Sequence, residues 1–207
     1  MDVFRDDIDR ALYLTLMRDH GERAGVEFLA WCLMTNHVHL ICVPKEEDSL
    51  ARGIGEAHRL YTRARNFREG VRGYLCQGRF GSYVMDGAHL VAATRYVELN
   101  PVAAGLTATP WEYEWSSAAF HAAKRRRDEL VTDRTLSGSV RAPREWRDFL
   151  AERVDAITAE RLERSLSTGR PVGSARFVER LEERLGRDLA PRRGGWPKGK
   201  RRGRRGN

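Results

Sequence analysis

Two histidines, His37 and His39, stand at positions i and i+2 inside an apolar run that extends from Ala30 to Pro44. Successive side chains of a β-strand alternate between its faces, so this spacing predicts that both imidazoles point the same way. Two imidazoles side by side on a rigid element form half of a metal site. The alternative is a pair of strand histidines that bind no metal, because an HxH pattern alone is a weak signal.

A second pair of chemically capable residues, Tyr96 and Asn100, lies within the predicted third helix. Residues at i and i+4 lie one above the other on a helix. A tyrosine oxygen is a nucleophile that can attack phosphorus. An amide oxygen is a hard ligand that could complete a His–His–Asn site for Mg²⁺ or Mn²⁺. The alternative is that Tyr96 belongs to the core and Asn100 caps the helix.

Several separated sequence strings resemble one family, in the order in which that family carries them. The single-tyrosine HUH transposases have similar strings, and the closest resemblance is to the REP-associated tyrosine transposases of the insertion-sequence-200 type. The resemblance covers roughly residues 4 to 120. The strings are CLMTNHVHL from Cys32, QGRF from Gln77, RYVELNPV from Arg95 and WSS from Trp115.

The resemblance implies a residue role at each matching position. His37, His39 and Asn100 would bind a divalent metal, Mg²⁺ or Mn²⁺, and Tyr96 would be the nucleophile. The implied activity is that of a metal-dependent transposase, which cleaves and rejoins single-stranded or hairpin DNA through a 5′-phosphotyrosine intermediate. The implied fold is α+β, with an HUH-type ferredoxin- or RRM-like antiparallel sheet and packed helices.

The same resemblance implies a DNA partner, consisting of REP-like repeats or element ends, and a bacterial protein that acts as a monomer or homodimer. The formal net charge of +8 agrees with a nucleic-acid partner. Four aromatic residues are candidates for base stacking or for the core, namely Tyr61, Phe67, Tyr74 and Phe80. The candidate DNA-binding arginines are Arg59, Arg63, Arg79, Arg95, Arg170, Arg201 and Arg202.

The start of the chain departs from the family pattern. Family members usually begin with a strand before the first helix, whereas this chain opens at Met1 with the helix itself. We therefore expect a sheet that lacks its first strand. One alternative function is a catalytically impaired, truncated or domesticated DNA-binding relative of the family. Another is a metal-dependent hydrolase in which water attacks instead of Tyr96.

The hydrophobic pattern predicts the elements that position these residues. The two histidines lie in the second strand of an antiparallel hairpin, and Asp86 is the N-cap of the helix that carries Tyr96. Pro101 should end or kink that helix after Leu99. The predicted elements are helix 4–20, strands 26–33 and 38–43, helix 48–66, strand 75–85 with a break at Gly78 or Gly81, and helix 86–99.

The chain is divided into a transposase-like domain over 1–125, a linker over 126–143, a small helical DNA-binding extension over 144–190 and a disordered basic tail over 191–207. Helices are expected over 144–166 and 175–185, and the tail should add salt-sensitive DNA affinity. The three cysteines form no CxxC pattern, which predicts reduced thiols in the cytoplasm, near the nucleoid. No apolar run reaches the length of about 20 residues that a membrane span needs.

Overall fold

The computed structural model describes residues 2–76, 78–136, 138, 142–152 and 155–189. These residues form seven α-helices and a two-stranded antiparallel sheet, which confirms the predicted α+β class. None of the described helices is long and apolar enough to cross a membrane. The elements are α1 (Asp7–Ala24), β1 (Val26–Leu33), β2 (Val38–Pro44), a π-helical turn (Ala51–Gly55) that leads into α2 (Glu56–Glu69), α3 (Gly87–Ala103), a 3-10 turn (Pro110–Glu112), α4 (Ala118–His121), α5 (Pro143–Ala151), α6 (Ala156–Thr168) and α7 (Ala175–Leu185).

Strand β1 lies at the centre of the core, because other elements cover both of its faces. An irregularity in the pairing with β2 between Phe28 and Ala30 shifts the alternation of faces at that point. Phe28, Trp31 and Leu33 pack in one apolar cluster with residues of α1 and α2. Ala30 and Cys32 pack in a second cluster with residues of α3, α5 and α6. The hairpin is thus sandwiched between the first two helices and the later part of the chain.

Later residues also satisfy the edge of β1 that β2 does not pair with. The Leu33 amide donates to the Trp115 carbonyl oxygen at 2.9 Å, and the Ser117 amide donates to the Trp31 carbonyl oxygen at 3.0 Å. Val131 forms an isolated parallel bridge further along the same strand. These contacts pair backbone groups on an edge of β1 that would otherwise have no partner.

Three predicted elements need correction. Within the described residues of 75–85 there is no strand, because the segment contains Gly78 and Gly81 and its end, Met85, bridges to Val172 instead of joining the sheet. The helix with Asp86 as its N-cap runs through Pro101 to Ala103. The region 144–166 holds two helices, α5 and α6, and not one, since Asp155 starts a new helix as its N-cap.

Part of the segment predicted as a linker, 126–143, packs against β1. The Trp31 indole nitrogen donates to the Asp128 carboxylate at 2.7 Å. The same carboxylate accepts the backbone amides of Leu130 and Val131. Leu136 is completely buried in the cluster beside α3. The tail over 191–207 lies outside the described residues.

Candidate active site

The hairpin turns both histidines towards α3. His39 is paired in register with Cys32, and cross-strand partners project from the same face of a sheet. Cys32 packs in the cluster that contains α3 residues, so His39 faces that helix. His37 lies two residues earlier and shares the face, with its Nε2 atom 3.1 Å from Nε2 of His39. The predicted juxtaposition of the two imidazoles is therefore present in the structure.

Both imidazoles are shifted towards their neutral form. Burial, together with the neighbouring His37, lowers the pKa of His39 to about 4, although a hydrogen bond with Asn100 acts in the opposite direction. Burial also lowers the pKa of His37. The Asn36 Oδ1 atom lies 2.7 Å from Nδ1 of His37 and, as an acceptor, orients that ring. Neutral imidazoles keep the lone pairs that bind metals.

Helix α3 brings Tyr96 and Asn100 to the same face of the hairpin. Asp86 begins the helix, because its carboxylate accepts the backbone amide of His89 at 3.1 Å. The Tyr96 ring meets the His39 ring edge-on, with centroids 5.8 Å apart. The Asn100 amide nitrogen donates to the Tyr96 carbonyl oxygen at 2.8 Å. The Asn100 side chain also makes a small contribution that opposes the net rise in the pKa of the Tyr96 hydroxyl.

The Tyr96 hydroxyl has a partner that the sequence did not predict. It donates a hydrogen bond to the Glu163 carboxylate on α6, with 3.0 Å between Oη and Oε1. Burial and the negative charge of Glu163 together raise the pKa of Tyr96 to about 12. No motif marks Glu163, which is one of two glutamates on the amphipathic helix α6, so only the tertiary structure identifies it.

Two of the arginines predicted to bind DNA are engaged within the chain. The Arg95 guanidinium lies over the Phe149 ring, 4.2 Å from its centroid, and pairs with Glu152 at 3.4 Å. Arg59 pairs with Glu56 at 2.6 Å on the surface of α2.

The other predicted arginines lie in three different settings. Arg63 and Arg79 are exposed, and Arg170 is partly buried. Arg201 and Arg202 lie outside the described residues. The five predicted arginines that the structure describes therefore differ in exposure and in partners.

The donor set at this site is two imidazoles and one amide. Among the described residues, no three His, Cys, Asp or Glu side chains lie together in a group that could hold a metal. The Asn100 side chain hydrogen-bonds His39 and could offer an amide oxygen as a ligand beside the two imidazoles. Such a mixed nitrogen and oxygen set suits Mn²⁺ or Mg²⁺.

A buried hydrogen-bond network fixes the opposite side of α3, and the sequence did not predict it either. The Glu98 carboxylate accepts hydrogen bonds from the Ser117 hydroxyl at 2.6 Å and from the Trp146 indole at 2.8 Å. His121 Nδ1 lies 2.5 Å from the same carboxylate. All four side chains are buried. The network joins α3 to α4 and α5, and so it sets the position of the helix that carries Tyr96.

Comparison of the chain with models of known protein families gives no match, and comparisons with curated proteins and with solved structures give none either.

Proposed function

We propose that this chain is a metal-dependent tyrosine transposase, which cleaves and rejoins single-stranded or hairpin DNA. The observation that carries the proposal is the contact between the His39 and Tyr96 rings, whose centroids are 5.8 Å apart. These residues belong to distant parts of the sequence, and the resemblance assigns one to metal binding and the other to nucleophilic attack. Their meeting on one face of the hairpin supports the assignment.

The side chains at the site suit a phosphotyrosine reaction. The Tyr96 oxygen attacks the phosphorus of a DNA phosphodiester, and the bond from phosphorus to the 3′ oxygen breaks, leaving a 3′-hydroxyl after protonation by solvent. The Glu163 carboxylate accepts the hydrogen bond of the Tyr96 hydroxyl, and the phenol proton can pass to it along that bond. A 3′-hydroxyl from another end reverses the step and joins two strands.

The residues present also fit a divalent metal. His37 and His39 place two neutral Nε2 atoms 3.1 Å apart, a separation that suits two ligands of one ion, and Asn100 offers an amide oxygen beside them. A bound Mg²⁺ or Mn²⁺ supplies positive charge, which orients the phosphate and stabilises the charge on its non-bridging oxygens. His37 and His39 would hold it from the sheet, and Asn100 from α3.

On this proposal, β1 and β2 are the central hairpin of an HUH-type ferredoxin- or RRM-like fold. The support is the layered arrangement, in which α1 and α2 cover one face of the hairpin and α3 covers the face that carries His37 and His39. The DNA partner would be a hairpin from REP-like repeats or element ends, in keeping with the net charge of +8.

The test is the formation of a covalent protein–DNA adduct. We would incubate the protein with labelled hairpin oligonucleotides that carry single-stranded flanks, in the presence of Mn²⁺ or Mg²⁺, and separate the products on denaturing gels. The expected adduct is absent in Tyr96→Phe and His37→Ala. It is retained in Tyr83→Phe, which removes the hydroxyl of a neighbouring, partly buried tyrosine.

Two other results would contradict the proposal in different ways. DNA binding with neither an adduct nor cleavage would favour the catalytically impaired DNA-binding relative. Cleavage without an adduct that survives Tyr96→Phe would favour a metal-dependent hydrolase, in which water attacks the phosphate.

A further inference from the structure

Two aromatic rings stand almost fully in solvent at the end of α2. Phe67 and Tyr74 are 90% and 94% exposed, the highest values among the large hydrophobic side chains that the structure describes. The other two candidate stacking residues are engaged elsewhere. Tyr61 is buried and donates to the Val3 carbonyl oxygen, and Phe80 packs edge-on against His58. The structure thus separates two exposed rings from two packed ones.

The turn between Phe67, in the last turn of α2, and Tyr74 is held by two hydrogen bonds with one residue of that helix. Gly70 ends the helix in the left-handed conformation, with φ of 65°. The Val71 amide donates to the Asn66 carbonyl oxygen at 3.0 Å, and the Asn66 side-chain amide donates to the Gly73 carbonyl oxygen at 2.8 Å. Tyr74 follows directly, so Asn66 fixes the turn that separates the two rings.

Arginines are frequent in the sequence around this aromatic pair. The segment 51–80 contains seven arginines and two glutamates. Four of the seven arginines form ion pairs with carboxylates, namely Arg52 with Asp48, Arg59 with Glu56, Arg65 with Asp9 and Glu69, and Arg68 with Asp6 and Asp9. Arg72 and Arg79 form no ion pair with any described residue. Arg63 lies one turn before Phe67 on the same face of α2, is exposed, and has no ion pair with any described residue.

We propose that Phe67 and Tyr74, together with Arg63 and Arg72, form a stacking platform for unpaired nucleotides of single-stranded DNA. Arg72 is exposed and lies between Phe67 and Tyr74 in the sequence. The rings stack on bases, and the arginines contact the backbone phosphates. This inference deepens the proposed function, on which it rests, by naming the part of the DNA that this surface binds.

The chemistry of the platform favours single strands over other partners. Bases in a duplex are covered by their neighbours, so an aromatic ring reaches the face of a base only where that base is unpaired. A second copy of this chain would bring a net charge of +8 towards a surface that is already positive. Single-stranded DNA is a polyanion whose unpaired bases expose aromatic faces. It is therefore complementary both to the positive charge and to the exposed rings of the platform.

The experiment measures binding in the absence of divalent ions, by fluorescence anisotropy of a labelled oligothymidylate and of a duplex of equal length. Phe67→Ala and Tyr74→Ala should each weaken single-strand binding about 5- to 100-fold and leave duplex binding unchanged. Phe67→Tyr and Tyr74→Phe keep a ring and should bind as the unaltered protein does. The matched control is Ile157→Ala, which truncates another large side chain that is 80% exposed.

Salt dependence separates stacking from charge. The aromatic substitutions should leave the slope of log affinity against log salt unchanged, because stacking releases no counterions. Arg63→Gln should make that slope shallower by about 0.7, the value for one phosphate contact on a single strand.

The inference is overturned if both alanine variants bind the single strand like the unaltered protein, or if they lose duplex binding equally. It is also overturned if the protein is a dimer in sedimentation and Phe67→Ala makes it a monomer, since the rings would then bind a second copy. The adduct assay stays independent of these results. Ring-dependent binding without an adduct would contradict the transposase, and an adduct without ring-dependent binding would contradict the platform.

Discussion

The substitution Trp146→Phe tests whether the C-terminal helices belong to the same cooperative unit as the candidate site. Trp146 lies on α5, is 1% exposed, and donates its indole hydrogen to Glu98 on α3 at 2.8 Å. Phenylalanine retains an apolar ring but removes the donor, so the buried Glu98 carboxylate loses one of its partners. We expect a substantial loss of stability, because unmatched buried charge is costly.

The expected magnitude follows from that single bond. A hydrogen bond to a charged group contributes about 1.5–3 kcal/mol, and the smaller phenylalanine ring also leaves part of the indole volume unfilled. We therefore expect the free energy of unfolding to fall by about 2–4 kcal/mol, a large share of the 5–15 kcal/mol that is typical of whole domains. In a Glu98→Gln background, Trp146→Phe should lower the free energy of unfolding by a smaller amount, because the acceptor is no longer charged.

The assay is urea unfolding followed by circular dichroism. Trp111→Phe is the matched control, since it shortens another core-facing indole that makes no side-chain hydrogen bond within the described residues. The reasoning is refuted if Trp146→Phe destabilises the protein no more than Trp111→Phe does. It is also refuted if the protein unfolds in two separate transitions of which Trp146→Phe affects only one, because α5 would then be an independent unit.

Two further predictions follow from the pKa shifts at the site. The pKa of His39 is lowered to about 4 in the folded protein, so as the pH falls below about 6.5 the unfolded chain takes up a proton first. Without divalent ions, stability should decline between pH 6.5 and 4, by at most about 1.4 kcal/mol per pH unit for this group. His39→Asn should flatten that decline in unfolding experiments, and an unchanged profile would contradict the assignment. Glu163→Gln removes a negative charge beside Tyr96 and should lower the pKa of the Tyr96 hydroxyl from about 12. Ultraviolet titration of tyrosinate measures this pKa, with Tyr96→Phe as the reference. An unaltered titration would show that the two groups do not interact.

The sequence predicted features that depend on local spacing. The common face of His37 and His39 follows from strand geometry, and the i,i+4 relation of Tyr96 and Asn100 follows from the helix. Asp86 was recognisable as an N-cap from its residue type and from the apolar run that follows it. These rules involve residues close in sequence, which is why the relative placement within each of these pairs could be predicted before the structure.

Features that depend on distant packing were not predictable in the same way. Arg95 was predicted from the sequence as a DNA-binding residue. In the structure its guanidinium lies over the Phe149 ring, because α5 packs beside α3. The segment 75–85 has enough apolar residues for a strand, but Met85 bridges to Val172 of the C-terminal region. The hydrophobic pattern of a segment shows which secondary structure it can adopt. Whether the segment adopts it depends on the residues against which it packs in the folded chain.

Helix α3 is held by the C-terminal region along its length, and this affects how the site can work. The Ser174 amide donates to the Asp86 carboxylate at the start of the helix, at 2.8 Å, and Trp146 binds Glu98 near its last turns. Between these two points, Glu163 accepts the hydrogen bond of the Tyr96 hydroxyl. On the proposed function, a DNA phosphate that approaches Tyr96 would meet a carboxylate supplied by α6. The phenol would have to leave that hydrogen bond, or pass its proton along it, before its oxygen could attack. The segment predicted as a C-terminal extension thus packs along the helix that carries Tyr96 and supplies the hydrogen-bond partner of its hydroxyl.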